Sequence, residues 1–153
     1  MEIITDVTTL RIKNTNVKLT EINNIIPQAN QMLKLMIENN GCGIASPQVG
    51  INKRFFLALL DNKVKLFINP TISNLNDEVS EDYEGCLSVP NMNGIVKRYI
   101  NISIKHWSMN QRKYVTEIYE GFNARVLQHE YDHLEGILYI DKATSLEKRE
   151  KTA

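Results

Sequence analysis

The chain has 153 residues, with 18 basic and 18 acidic side chains and a formal net charge of zero. This length fits one domain, and the neutral balance argues against a protein that binds nucleic acid by neutralising phosphates. No apolar stretch approaches the roughly 20 residues that cross a bilayer, and the first residues lack the basic and apolar regions of a secretory signal. Two cysteines are too few for a disulfide framework, so we expect a reducing, cytosol-like compartment.

The first regular element in the sequence is a helix predicted over residues 26–40. Apolar residues recur there at three- and four-residue spacing, Pro27 suits the first turn, and Gly41 suits the stop. Residues 41–50 are too rich in glycine and proline to predict regular structure.

Two pairs of strands are predicted next. The first pair is joined across Asp61 and Asn62 and closed by Pro70, and the second pair alternates apolar and polar residues before its turn. The four strands are predicted at residues 55–60, 64–69, 100–105 and 113–119.

Helical spacing returns over residues 122–134 and ends at Gly136, and residues 137–140 predict a last short strand. The order of helix, strands and helix predicts an α+β fold with mostly antiparallel sheets around a central helix. We expect a single catalytic domain over residues 1–153.

The predicted central helix carries an H-E-x-x-H pattern at residues 129–133. His129 and His133 are four residues apart and project from one face, so together they can bind one divalent metal. Glu130 lies about 100° round the helix and can reach a water on that metal. Phe122 and Val126 share the stripe of the two histidines, which we therefore expect on the buried face.

A catalytic metal normally has three protein ligands and a water. No histidine follows His133, so the third ligand must come from upstream. The candidates are Cys86, Cys42 and His106. Cys86 lies in a segment bounded by glycine and proline, Cys42 is flanked by glycines, and His106 has the plainer interpretation of a core or edge histidine.

Three segments together resemble the peptide deformylase family. Residues 41–48 are similar to its G-x-G-x-A-A-P-Q motif, with Ser46 where the family usually has alanine. Residues 84–88 are identical to its E-G-C-L-S motif, and residues 128–136 resemble its Q-H-E-x-D-H-L-x-G motif. The three occur in the family's order and with similar spacing.

The resemblance implies a metal-dependent hydrolase of protein biosynthesis. Such an enzyme removes the N-formyl group from the initiator methionine of nascent polypeptides and releases formate. The implied metal ligands are Cys86, His129 and His133, with a water in the fourth place. Glu130 would be the general base and then the acid, and Gln48 and the backbone N–H of Leu87 would face the developing oxyanion. A plainer role for Gln48 is to cap nearby backbone.

The same resemblance implies a cleft in which Gly43 and Ile44 pair with the substrate backbone. Ile44, Phe122 and Val126 would supply an apolar pocket for the methionine side chain. The implied metal is one Fe²⁺ per chain, for which Zn²⁺, Ni²⁺ or Co²⁺ can substitute. The partners are an N-formylmethionyl peptide and, transiently, the ribosome, with no nucleic acid and no membrane. We expect a cytoplasmic location, or the host cytoplasm if the protein is encoded by a phage. An organelle is the alternative.

Two other functions are weighed against this one. A zinc metallopeptidase of the H-E-x-x-H class would need a downstream third ligand, and a structural zinc domain would use Cys42 as a fourth ligand. We also hypothesise that Glu84 pairs with Arg98 or Arg125 and so holds Cys86 in place. Asp132 matches the family motif without an independent explanation.

Overall fold

Two antiparallel sheets and two long helices make up the computed structural model, which describes residues 1–148. The five-stranded sheet has the order β1-β2-β3-β6-β7: β1 (Gly43–Ala45), β2 (Phe55–Leu60), β3 (Lys63–Asn74), β6 (Asn101–Ser108) and β7 (Lys113–Glu120). The three-stranded sheet has the order β4-β5-β8: β4 (Val79–Cys86), β5 (Val89–Tyr99) and β8 (Ser145–Lys148). The predicted α+β class with mostly antiparallel sheets is therefore confirmed.

The helices are two long ones and two single turns: α1 (Val7–Leu10), α2 (Ile22–Glu38), α3 (Gly121–Leu134) and α4 (Tyr139–Lys142). Short 3₁₀ turns occur at Leu19–Glu21 and Ser46–Val49. No helix within residues 1–148 is both long and apolar enough to cross a membrane. The last five residues of the predicted domain lie outside the described part.

Helix α2 begins four residues earlier than its apolar spacing predicts. The backbone N–H of Lys18 donates to the Glu21 carboxylate at 3.1 Å and caps the 3₁₀ turn Leu19–Glu21, which leads directly into the helix, so that Pro27 lies inside α2. The apolar spacing correctly indicated a helix, and Ala29, Met32 and Met36 are buried. The apolar residues at the two ends of the predicted span, Ile26 and Ile37, are 45% and 62% exposed. At the other end the left-handed position is occupied by Asn40, with φ 55°, rather than by glycine.

The first predicted hairpin is confirmed as β2 and β3, and the second as β6 and β7. Asp61 and Asn62 both have positive φ, 48° and 66°, as a two-residue hairpin turn requires. Pro70 does not end β3. It lies where the pairing register shifts, and beyond it the strand continues alongside β6.

Three segments differ from the sequence-based expectation. Residues 137–140 do not form a strand, because the carboxylate of Asp141 accepts from the N–H of Leu138 at 3.0 Å and caps the helical turn α4. The glycine-rich stretch contains β1 and a 3₁₀ turn. The β4–β5 hairpin was not predicted, since seven of the eight residues of β4 are exposed or half-buried and its pattern does not alternate.

The five-stranded sheet is covered on both faces. Alternate residues of β2 point to opposite sides, so Phe56 packs towards α3 while Phe55 packs towards α2. Helix α3 also contacts β5 of the three-stranded sheet. The helix with the H-E-x-x-H pattern therefore lies between the two sheets, with its histidines facing the end of β4.

Candidate metal centre and active-site cleft

Three donor side chains from two elements converge at the end of β4. They are Cys86 from β4 and His129 and His133 from α3, and their ligand atoms all lie within 4.8 Å of one another. Cys86 Sγ is 3.3 Å from His133 Nε2. A tetrahedral site with bonds of about 2.0–2.3 Å places its donors about 3.5 Å apart, so one thiolate and two imidazoles at these separations fit a divalent transition metal.

The other two candidate ligands lie elsewhere. Cys42 is exposed and falls outside the donor group found within residues 1–148. His106 is buried on β6 and pairs through Nε2 with Glu117 of β7. The arrangement therefore gives no support to a closed four-ligand structural site with Cys42.

The predicted buried stripe of α3 is correct for three of its four members. Val126, His129 and His133 are 7%, 9% and 1% exposed, but Phe122 is 61% exposed. Phe122 lies in the first turn of the helix, directly after β7, where its ring faces the cleft instead of the core. Phe122 is therefore not one of the apolar residues that pack this helix against the core.

Glu130 is a buried carboxyl group in the cleft wall. It is 5% exposed, and Oε1 has no hydrogen-bond partner among the described residues. A Cβ built on Gly43 would lie 2.6 Å from Oε2, so any larger residue there would displace the Glu130 carboxyl group. Burial raises the pKa of Glu130 to about 7, which suits a group that must both accept and donate a proton near neutral pH.

Gln48 caps nearby backbone, as the plainer interpretation predicts, and its amide group also lies beside the donor cluster. Its Oε1 accepts from the backbone N–H of Ala45 at 2.8 Å, which caps the 3₁₀ turn. Its Nε2 donates to Ser88 Oγ at 3.1 Å and lies 3.5 Å from Cys86 Sγ, so the amide N–H group faces the donor cluster. Leu87 lies in the two-residue turn between β4 and β5, next to the cysteine.

Ser46 is fully buried in the same 3₁₀ turn, and its hydroxyl donates to the backbone carbonyl of Lys53. The residue that departs from the family motif thus has a hydrogen-bond partner of its own.

Glu84 pairs with both arginines considered for it, and also with a histidine. Arg98 binds it through two nitrogens at 2.9 Å, and Arg125 donates to it at 2.8 Å. His129 Nδ1 lies 2.8 Å from Glu84 Oε1, which turns Nε2 of that ring towards Cys86. Burial opposes ionisation of Glu84, but the hydrogen bonds from Arg98 and His129 outweigh it and hold the pKa of Glu84 well below its usual range.

Asp132 acquires a structural explanation that its sequence position did not suggest. Its carboxylate pairs with Arg98 and with Lys142 of α4, the latter at 2.9 Å. Asp132 and Glu84 therefore bind the same arginine, and α3 is joined to both β5 and α4.

A cleft of about 460 Å³ opens beside Cys86, His129 and Glu130. Gly43, Phe122 and Val126 line it, as predicted. Ile44 does not. Its side chain is fully buried and packs in the core beneath α2, because successive residues of β1 point to opposite faces. The far wall comes from β4 and β5 and includes Tyr83, Pro90, Asn91, Met92 and Asn93. This wall was not predicted from the sequence, because it belongs to the β4–β5 hairpin, which was not predicted either.

Comparison with known proteins gives a consistent result. The polypeptide deformylase family model matches residues 2–149. Peptide deformylase 1 of Clostridium perfringens is 49% identical over 112 residues, which cover 72% of this chain and 75% of that protein. The crystal structure of peptide deformylase from Thermotoga maritima matches with a TM-score of 0.87 and 35% identity over 94% of this chain and 97% of that one.

A Met-Ala-Ser-bound class I type b peptide deformylase from Acinetobacter baumannii matches with a TM-score of 0.84 and 32% identity, over 93% of this chain and 97% of that one. A family match over nearly the whole chain thus agrees with the donor cluster and the cleft. The chain belongs to the peptide deformylase family, metal-dependent hydrolases that remove the N-formyl group from nascent chains.

Proposed function

We propose that Cys86, His129 and His133 bind one divalent metal in this chain, and that Glu130 acts as general base and then general acid in deformylation. The observation that carries the proposal is the convergence of these three donors beside a buried carboxyl group in an open cleft. A divalent metal held there would lower the pKa of a bound water to about 7 and would polarise a carbonyl group.

Glu130 has two tasks in this proposal. It accepts a proton from the water that attacks the formyl carbon, and it delivers that proton to the α-amino nitrogen as the carbon–nitrogen bond breaks. Formate and a free amino terminus result. The pKa of about 7 supports this role, because the group can hold or release a proton near neutral pH.

The developing negative charge on the formyl oxygen needs hydrogen-bond donors. We assign this role to Gln48 Nε2 and the backbone N–H of Leu87, and one such donor is typically worth about 3 kcal/mol. The hydrogen bond that the N–H of Ala45 donates to Gln48 Oε1 supports the assignment, since it fixes which end of the amide faces the cleft.

The substrate is an N-formylmethionyl peptide bound in the cleft. We infer that Phe122 and Val126 contact the methionine side chain, and that Gly43 and Ile44 contact the peptide backbone through their own main chain. The burial of the Ile44 side chain removes it from the methionine pocket. A relative that binds Met-Ala-Ser supports a cleft of this kind, and the same tripeptide is the product expected from formyl-Met-Ala-Ser.

The donor set also bears on the metal. One thiolate and two imidazoles suit several divalent ions, and we propose Fe²⁺ as the native metal, with Zn²⁺, Ni²⁺ or Co²⁺ as substitutes. Because the substrates are nascent chains, we further propose a transient ribosome contact in the cytoplasm, in the host cytoplasm for a phage protein, or in an organelle.

The test is formate release from formyl-Met-Ala-Ser by protein loaded anaerobically with Fe²⁺ or Ni²⁺. We expect metal-dependent release by the wild type and a loss of about 10²- to 10⁴-fold in Glu130→Gln, the usual contribution of a general base. Glu120→Gln, which changes an exposed carboxylate just before the same helix, is the matched control and should release formate normally.

Glu130→Gln should still bind one metal per chain, because the carboxyl group is not among the donors. Undiminished release by Glu130→Gln would contradict its role. No release by folded, metal-loaded wild type would contradict the deformylase assignment, and unformylated peptides should then be tested for cleavage.

A further inference from the structure

Tyr139 connects the metal-binding helix to the opposite wall of the cleft. It is the first residue of α4 and is 1% exposed. Its ring stacks on the ring of His129, with centroids 5.9 Å apart and planes at 23°. Its hydroxyl donates to the backbone carbonyl of Met92 at 3.1 Å. One side chain therefore contacts a candidate metal ligand at its ring and the substrate cleft wall at its tip.

Met92 lies on β5, and this strand of the cleft wall is paired with another strand along each of its edges. Residues 90–93 of β5 line the cleft, and the strand begins across from the metal-binding cysteine through the pair Cys86 and Val89. On the other edge of β5, Met92 pairs with Lys148 of β8. The position of the wall is thus set jointly by the cysteine hairpin and by the segment 139–148.

Close packing joins this segment to the wall. A Cβ built on Gly94 of β5 would lie 2.9 Å from Leu146 Cδ2 and 3.0 Å from Ala143 Cβ, so a larger residue would force its neighbours to shift. The backbone N–H of Thr144 donates to the carbonyl of Ile95 at 2.8 Å. The segment that directly follows α4 therefore packs closely against β5.

Helix α4 is in turn held to α3. Lys142 pairs with Asp132 at 2.9 Å, and Asp132 lies one turn beyond His129.

We propose that Tyr139 is a positioning residue for deformylation: its hydroxyl holds the cleft wall at Met92 for substrate binding, and its ring holds the imidazole of His129 for metal binding. This inference rests on the proposed function of the cleft. The two contacts act on different quantities, so they can be separated by two substitutions.

Tyr139→Phe removes only the hydroxyl. We expect KM for formyl-Met-Ala-Ser and the dissociation constant for Met-Ala-Ser to rise about fivefold, the usual worth of one neutral hydrogen bond, with kcat and metal content unchanged. The matched control is Tyr119→Phe, which removes a tyrosine hydroxyl that accepts from Lys65 at 3.1 Å on the other sheet, and it should leave both constants unchanged. A Tyr139→Phe variant with the constants of the wild type would overturn the role of the hydroxyl.

Tyr139→Leu removes the ring as well. We expect the dissociation constant for Co²⁺ to rise a further fivefold or so relative to Tyr139→Phe, the usual worth of an aromatic pair, together with a change in the Co²⁺ absorption spectrum. An unchanged affinity and spectrum would overturn the role of the ring.

Hydrogen exchange of the backbone keeps this inference separate from the deformylase assignment. Amides of residues 92–95 should exchange faster in Tyr139→Phe than in Tyr119→Phe, whether or not the protein releases formate. Equal exchange in the two variants would overturn the inference, while absence of formate release from the wild type would overturn only the proposed function.

Discussion

Two carboxylates, Glu84 on β4 and Glu117 on β7, each pair with a histidine and with at least one basic side chain. Arg98, Arg125 and His129 contact Glu84, whose side chain is 5% exposed. Lys65 and His106 contact Glu117, whose side chain is 30% exposed. The clusters share their chemistry but differ in burial and in what surrounds the histidine.

The difference shows what a histidine–carboxylate pair can and cannot indicate. Both His106 and His129 are buried and paired with glutamate. Of these two histidines, only His129 has a second imidazole and a cysteine sulfur beside it, so only its pair orients a candidate metal ligand. The function of the Glu84 cluster therefore depends on the residues beside His129. Its contribution to the free energy of unfolding depends on how far its charges are buried away from water.

The largest predicted contrast is between Glu84→Gln and Glu117→Gln. Removing the Glu84 charge leaves two buried guanidinium groups without their main partner, which should lower the free energy of unfolding by about 3–5 kcal/mol. Glu117→Gln removes a partly exposed charge and should lower the free energy of unfolding by less than about 1 kcal/mol. Urea denaturation of the metal-free proteins measures both values.

Metal affinity sharpens the same contrast. Glu84→Gln should weaken metal binding by about 10- to 100-fold, because His129 loses the group that orients its ring. Glu117→Gln should bind metal as the wild type does. Equal stability losses in the two variants would show that burial does not distinguish the clusters, and equal metal affinities would show that Glu84 does not act through His129.

The partners of Glu84 could be proposed from the sequence only as alternatives. The helix predicted over residues 122–134 already contained Arg125, but the sequence did not reveal that Arg98 comes from a strand facing that helix. Their convergence on one carboxylate depends on the β4–β5 hairpin. That hairpin lacks apolar alternation because much of β4 is exposed, so local pattern could not predict it.

The candidate metal ligands were easier to bring together from the sequence, because the relative placement of two of them is set by helical geometry alone. A spacing of four residues places His129 and His133 on one face whatever surrounds the helix. Phe122 and Ile44 show the limit of such periodicity. The same apolar residue types can face a core or a cleft, and only the packing of α3 and β1 against their neighbours decides which.

Coupling energies offer a finer comparison between the clusters. Double-mutant cycles should give the largest coupling for Glu84 with Arg98, where two hydrogen bonds form, at roughly 2–3 kcal/mol. The coupling energy between Glu84 and Arg125 should be smaller, since a single hydrogen bond joins them. The coupling energy between Lys65 and Glu117 should be below about 1 kcal/mol. No coupling between Glu84 and either arginine would remove the proposed support of Cys86 and His129.

Acid titration gives the smallest effect and tests the exposed cluster by itself. Burial opposes ionisation of Glu117, but hydrogen bonds from Lys65 and His106 lower its pKa below the usual value of 4.5. The unfolded chain therefore binds the proton first as pH falls, so the stability from this charge is complete above the unfolded pKa and is lost as pH drops through the folded pKa. The stability difference between the wild type and Glu117→Gln, less than about 1 kcal/mol near pH 6, should shrink towards pH 3 and should also shrink in high salt. A difference that grew on acidification would mean that Glu117 is stabilised in its protonated form. The two clusters would then resemble each other in the arrangement of their side chains but not in the role of the carboxylate charge.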